Sequence, residues 1–442
     1  MMTVLDTVSR VPAALARTLV GDFLPLTIDI ERSSGSYLWD ETVGRPVLDM
    51  GMFFSSSPLG HNPTPLAHIE AERKLLAAAR MKPSNPDFAS LVLADSVATF
   101  RRLLMPEDMP HLFFIDGGAA AVENALKVAF DWKSQRSGVD EANLQVLHLR
   151  WAFHGRSGYT MSLTNTDPAK TARFPKFDWP RIDVPARGED GGDEADRTDL
   201  NEAERRALAE IEAILVADGE KIACFVYEPI QGEGGDRHLG AAFLRAVQSL
   251  CVQYDVLTVA DEVQTGGGVV GCRWAHEALG LHPDLVAFGK RMQVCGVIGG
   301  RRVDDIDTNA FAVPGRISST WGGSLVDLVR FALLYEYIAR ENVIERAAAM
   351  GPFMRAGLDE MVSSSGGHVF SARSRGLWGA VTLSSRELRD AVLQTALNEF
   401  DTVLLPCGTR SIRWRPSLLV TEQELTLSLD AVSRSLTMVG HS

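Results

Sequence analysis

Apolar residues fall along this chain in short solid runs separated by stretches of helical period. "LFFI" (112–115), "VLHL" (146–149), "IACFVY" (222–227), "VLTVA" (256–260) and "LVAF" (285–288) are too short for helices and apolar on both faces. That pattern predicts strands buried on both sides. Between them, "AAAVENALKVAFDWK" (119–133) and "AAFLRAVQSLCVQY" (241–254) space their apolar positions as amphipathic helices. Alternating strand and helix predicts an α/β fold with a mostly parallel central sheet. The texture changes near residue 325. A long helical stretch (325–362) leads to "GLWGAVTLS", "TVLLP" and a last helix, which reads as a smaller α+β domain. The expected division is an N-terminal segment (1–60) joining the small domain, a large domain (61–325) and a C-terminal small domain (326–442). There is no internal repeat.

Composition narrows the function. Hydrophobic residues make up 45% of the 442 positions and charged residues 23%, an ordinary globular balance. The net charge of −13 argues against a binder of nucleic-acid backbone. Five scattered cysteines with no C-x-x-C pair predict free thiols in a cytoplasmic protein. The segment "VPAALARTLVGDFLPL" carries Arg17 and Asp22 and reads as a surface helix, not a signal peptide. No uncharged apolar run approaches bilayer length, so no membrane partner is expected. The acidic stretch 186–205 reads as a solvated loop.

Chemistry enters where the apolar runs end. "LVAF" closes on Gly289 and then Lys290, while "VLTVA" closes on Asp261. Ligands of open α/β sheets bind at the carboxyl ends of strands. A desolvated lysine is a neutral nucleophile. "FFIDGGAAAVENALK" runs from a strand through Gly117, Gly118 and Ala119 into a helix, whose N-terminus favours an anion. Amine, carboxylate and phosphate cradle together are what pyridoxal phosphate requires. A rival lies in "GGGVVG" (266–271), which satisfies G-x-G-x-x-G with Asp284 downstream. It does not sit between a strand and its helix, so a nicotinamide-dependent reading is weak. A cofactor-free binding protein is the other rival.

Longer segments carry a resemblance. "RSSGSYLWD", "MKPSN", "HLFFIDGGAAAVENALKVAFDWK", "AFHGRSGYTMSLTNT", "RFPKFDWPRID", "EPIQGEGGDRH", "DEVQTG", "FGKRMQVCG", "STWGG" and "IRWRP" make the chain similar to the class III, fold type I pyridoxal phosphate aminotransferases. "RFPKFDWPRID" is similar to the branch acting on the ε-amine of L-lysine. The resemblance implies a homodimer with shared active sites, taking an amino donor and 2-oxoglutarate. It implies that Lys290 carries the cofactor and shuttles a proton, and that Asp261 holds the pyridinium. Phe153 and Val263 would flank the ring, and Gln264 would bond its hydroxyl. Gly118 and Ala119 would bind the phosphate, with Thr320 from the partner. Glu228 joins the cofactor-binding set. Arg415 would grip the carboxylate beside the reacting carbon and pair with Glu233 when none is present, while Arg156 would grip the distal carboxylate. The chain departs from the branch at Met52, Phe53 and Phe54, with Phe54 expected to line the substrate channel, and at Ser318 and Ser417. A related ω-aminotransferase acting on ornithine, 4-aminobutyrate, another diamine or a biosynthetic aldehyde stays open.

Overall fold

A computed structural model describes residues 11–21, 23–183 and 199–440. The central sheet has seven strands: β1 (His111–Phe114), β2 (Gln145–Leu149), β3 (Arg181–Ile182), β4 (Ile222–Tyr227), β5 (Leu257–Glu262), β6 (Leu285–Phe288) and β7 (Gly296–Gly299). Their spatial order is β1-β7-β6-β5-β4-β2-β3. All pairs are parallel except the two made by β7.

Alternation along each strand divides the core in two. Cys224, Val226, Leu257, Val259, Leu285 and Ala287 pack with Ala121, Val122, Leu126 and Trp132 of a helix, α1 (Gly118–Ser137). Phe225, Tyr227, Ala260, Val286 and Phe288 face the other way, toward Phe243, Val247 and Cys251 of the Ala241–Gln253 helix. On that side the buried Phe100 ring lies 4.8 Å from Phe288 and 5.2 Å from Phe331. These rings tie the sheet to the first helix beyond residue 325.

The expected helical stretch 325–362 is two helices, Leu325–Arg340 and Val343–Ser364, broken at Asn342 with φ +49°. Beyond them Val369–Arg375, Trp378–Leu383, Ser411–Trp414 and Leu405–Cys407 form an antiparallel sheet. The N-terminal strands return to this region, since Arg45–Asp49 pairs in parallel with Thr402–Val403. The predicted N-terminal surface helix shrinks to Val11–Leu15, because no residue in it is buried to hold a longer one. Of the acidic stretch 186–205, residues through 198 lie outside the described part. Residues 202–205 are helix rather than loop, begun by a capping box between Asn201 and Glu204.

The glycine run 266–271 is a chain of turns, with φ +85° at Gly267 and +106° at Gly268. It packs close to Arg291 and Ile344 and opens no helix. The dinucleotide geometry is therefore absent from this segment.

Candidate active site

Pairing of β5 with β6 sets the site. The register aligns Asp261 with Ala287 and Glu262 with Phe288. Asp261 therefore points from the end of one strand while Lys290 follows the end of its neighbour. Gly289 is extended, and Lys290 itself has φ +44°, a left-handed conformation that costs a non-glycine residue about 1–2 kcal/mol. Both residues line a cavity of about 460 Å³ with Gly118, Ala119, Phe153, Arg156, Glu228, Glu233, Val263 and Gln264. Ten of the thirteen expected site residues thus meet in one place.

The electrostatics fit a reactive amine. Burial pushes the Lys290 amine down to about 8; Glu233 pulls against the drop while Arg413 and Arg415 add to it. Asp261 is fixed by two donors. Its Oδ2 lies 2.7 Å from Nδ1 of the buried His154, and its Oδ1 accepts from the Val263 N–H at 3.1 Å. Nε2 of His154 is buried without a hydrogen-bond partner. Glu228 accepts from the backbone of Phe153 at 2.9 Å and of Gly232 at 3.2 Å, which anchors the Phe153 loop. Burial, helped by Asp261, raises the Glu228 carboxyl well above its ordinary range. The α1 N-terminus at Gly118 has no side-chain cap and no acid in its first turn, leaving its N–H groups for an anion. A Cβ at Gly118 would stand 2.7 Å from Val263, so glycine is required by that close approach.

Two expectations need correcting. Glu233 pairs with Arg413, not Arg415: its Oε1 lies 2.7 Å from Arg413 Nη1. Arg415 is fully buried on Asp236, donates to the Trp414 carbonyl at 2.8 Å and stacks 3.4 Å from the Trp378 ring centroid. A guanidinium so buried, and absent from the cavity lining, does not face a substrate carboxylate. Phe54 does not line the cavity. It is 51% exposed, with its ring centroid 6.0 Å from Lys290 Nζ and 5.6 Å from the Arg413 guanidinium carbon, so it stands at the mouth. Thr320 is exposed and lies outside this chain's own cavity.

The turn that carries Phe54 is strained. Met52, Phe53, Phe54 and Ser55 have φ of +44°, +50°, +59° and +71° in succession. Asp49 holds its start by accepting from the N–H groups of Gly51 and Met52, and His61 backs that carboxylate at 3.1 Å. Arg291 holds its end, donating to Ser55 Oγ at 2.7 Å.

Sequence reasoning overlooked Arg413, His154 and Lys170. Lys170 Nζ lies 3.4 Å from Glu233 Oε2 and 4.9 Å from the Phe153 ring centroid. Burial favours the neutral Glu233 carboxyl, yet Arg413, Lys290 and Lys170 together hold it well below the usual carboxylate range.

The pattern of the family described as aminotransferase class-III matches residues 22–436. The chain belongs to the class-III aminotransferases. It is 51% identical to an L-lysine-epsilon aminotransferase of Amycolatopsis lactamdurans, covering 98% of each chain. It is also 51% identical to one of Streptomyces clavuligerus, over 97% of this chain and 94% of that one. A solved lysine aminotransferase from M. tuberculosis superposes with a TM-score of 0.92 at 48% identity, over 98% of this chain and 100% of that one. The fold is the type I fold of pyridoxal phosphate aminotransferases, and class-III aminotransferases use that cofactor. The residues of this aminotransferase fit it. An uncapped helix end suits the phosphate, Asp261 suits a protonated pyridine nitrogen, and a depressed lysine suits the aldehyde.

Two outcomes follow from this geometry. Capture of pyridoxal phosphate by cofactor-free protein needs the neutral amine, so its rate climbs as pH rises through about 8 and flattens above. Stopped-flow absorbance across pH reads this; a rate still climbing steeply at pH 10 would mean an ordinary lysine. Arg415→Met strands the buried Asp236 and costs about 3–5 kcal/mol in urea unfolding, or prevents folding. Arg413→Met costs much less, because Glu233 keeps Lys170 and some solvent. A larger stability loss at Arg413 would reverse this division of roles.

Proposed function

We propose that the chain moves the ε-amino group of L-lysine to 2-oxoglutarate, giving 2-aminoadipate 6-semialdehyde, which cyclises to piperideine-6-carboxylate, and L-glutamate. The observation that carries this reading is the Glu233–Arg413 pair beside Lys290. An ε-amine reaches the cofactor with no carboxylate near the reacting nitrogen, and Arg413 is then covered by Glu233. A 2-oxoglutarate carboxylate displaces Glu233 and takes the guanidinium fork. Identity of about half to enzymes named for lysine supports the donor assignment.

When bound, pyridoxal phosphate supplies an electrophilic carbon for the amine and a ring that draws electrons from the carbon losing its proton. Lys290 would hold the cofactor and then carry the proton at its Nζ. Asp261, steadied by His154, would keep the pyridine nitrogen protonated. Phe153 and Val263 would flank its ring, Gln264 would bond its hydroxyl, and Gly118 and Ala119 would hold the phosphate. Glu228 fixes the Phe153 loop. Arg156 takes the distal carboxylate of either substrate, and Phe54 shields the mouth.

The working unit in this proposal is a cytoplasmic homodimer in which Thr320 completes the partner's phosphate cradle. Exposed Ile69, Leu76, Met81, Phe88 and Leu91 form apolar surface on and around two neighbouring helices, which supports an interface there. Among the described residues no helix is long and apolar enough to cross a membrane, and no cysteine is bridged. Residues up to 60 and from 326 onward act as one small domain against the 61–325 body, a division supported by the strand pairing at Thr402–Val403.

A panel of amines assayed against 2-oxoglutarate tests the donor. L-lysine should exceed ornithine and 4-aminobutyrate in kcat/KM by more than about tenfold, and Lys290→Ala should lose at least about a thousandfold in kcat with the fold intact. A preference for ornithine or 4-aminobutyrate would overturn the donor, and retained turnover in Lys290→Ala the chemistry. Sharing of sites is read by mixing two inactive proteins, Lys290→Ala and Thr320→Trp. Heterodimers should regain about half of wild-type activity, and an equilibrated equal mixture about a quarter, since one of the two sites of a heterodimer carries neither lesion. No recovery in verified heterodimers would place Thr320 elsewhere.

A further inference from the structure

Glu233 lies between two cations of unlike grip. Arg413 holds Oε1 at 2.7 Å, a full charge-assisted bond. Lys170 stands 3.4 Å from Oε2, longer than such a bond, with the Thr166 hydroxyl 3.5 Å from the same amine. Lys170 ends a short turn, Pro168–Lys170, fixed by Asp167 accepting from the Ala169 N–H. Its side chain is about four-fifths buried, and its amine lies toward the Phe153 ring. The contact has room to shorten.

We propose that Lys170 is the second seat of a Glu233 switch, receiving the carboxylate when a dicarboxylate substrate takes Arg413. This rests on the Glu233–Arg413 reading above. A carboxylate leaving a buried arginine must find water or another cation, and a desolvated unpaired charge is costly. Lys170 supplies that cation within a side-chain torsion. Because the lysine contact is loose in the closed state and closes on release, it favours the open state more than the closed one. Lys170 therefore sets how readily one site alternates between an amine arriving bare and an acid arriving with its carboxylate. It is a positioning residue, acting through Glu233.

The test uses the loaded enzyme and glutarate, a dicarboxylate that binds without reacting, with affinity read by calorimetry. Lys170→Met should weaken glutarate binding by about five- to tenfold, as expected for losing one partly buried ion pair. It should raise the 2-oxoglutarate KM by a similar factor, and the lysine KM at least fivefold less. Lys170→Arg should restore most of the loss. Glu233→Gln alone should tighten glutarate binding, because Arg413 is then free. In the Glu233→Gln background, Lys170→Met should change glutarate affinity by less than about twofold, the signature of action through Glu233. A loss that persists in that background would mean Lys170 grips the ligand directly and overturns the proposal. Unaltered affinity in Lys170→Met, with Glu233→Gln still tightening, would overturn the second seat and leave the switch standing. No effect of Glu233→Gln would overturn the switch and the seat together.

Discussion

The site depends on keeping one lysine amine out of water without letting a fixed countercharge claim it. Lys290 follows a strand whose four residues are all buried, and the backbone turns left-handed at the lysine itself. The nearest acids are otherwise engaged: Asp261 by His154, Glu233 by Arg413 and Lys170. With those carboxylates held by other partners, burial outweighs their pull on the amine and governs its proton affinity. Freeing either carboxylate to pair with the lysine would hold the amine protonated, against the nucleophilic role proposed for it.

The parts of this arrangement that sequence reveals are those tied to hydrophobic periodicity. Asp261 and Lys290 each close an apolar run, so strand ends and their chemistry are visible together. Gly118 and Ala119 stand where a strand hands over to a helix, and they too are legible. Arg413 and Arg415 are not separable that way. They are two residues apart and share a face in any strand pattern, so alternation cannot choose between them. The strand in fact ends at Trp414, and the chain turns between the two arginines, sending one to Glu233 and the other to Asp236. Asp236 itself sits at φ +50° in a glycine-rich loop where no period operates.

Polar residues buried by distant chain are the other blind spot. Nothing near His154 announces that its ring meets a carboxylate more than a hundred positions away, and Lys170 lies on a three-residue turn outside any periodic element. Phe54 shows the converse limit. Its bulk is plain in the sequence, yet its place at the mouth follows from four successive left-handed residues, a conformation no propensity favours. The turn persists because Asp49 and Arg291 bind its two ends.

The segment around that turn is closed by the far end of the polypeptide. Leu48 and Met50 bond to the backbone of Asp401 and Val403, Arg415 donates its N–H to Met50, and Leu418 donates to Pro58. Every strand of the large sheet ends at or before Gly299 in the chain, about a hundred residues ahead of these partners. The cavity floor thus comes from the middle of the chain and its rim from the two ends. Residues beyond 400 supply both Arg413 and the backbone partners that fix the entrance, so the carboxylate site proposed above is completed by the C-terminal segment and not by the sheet that carries Lys290 and Asp261.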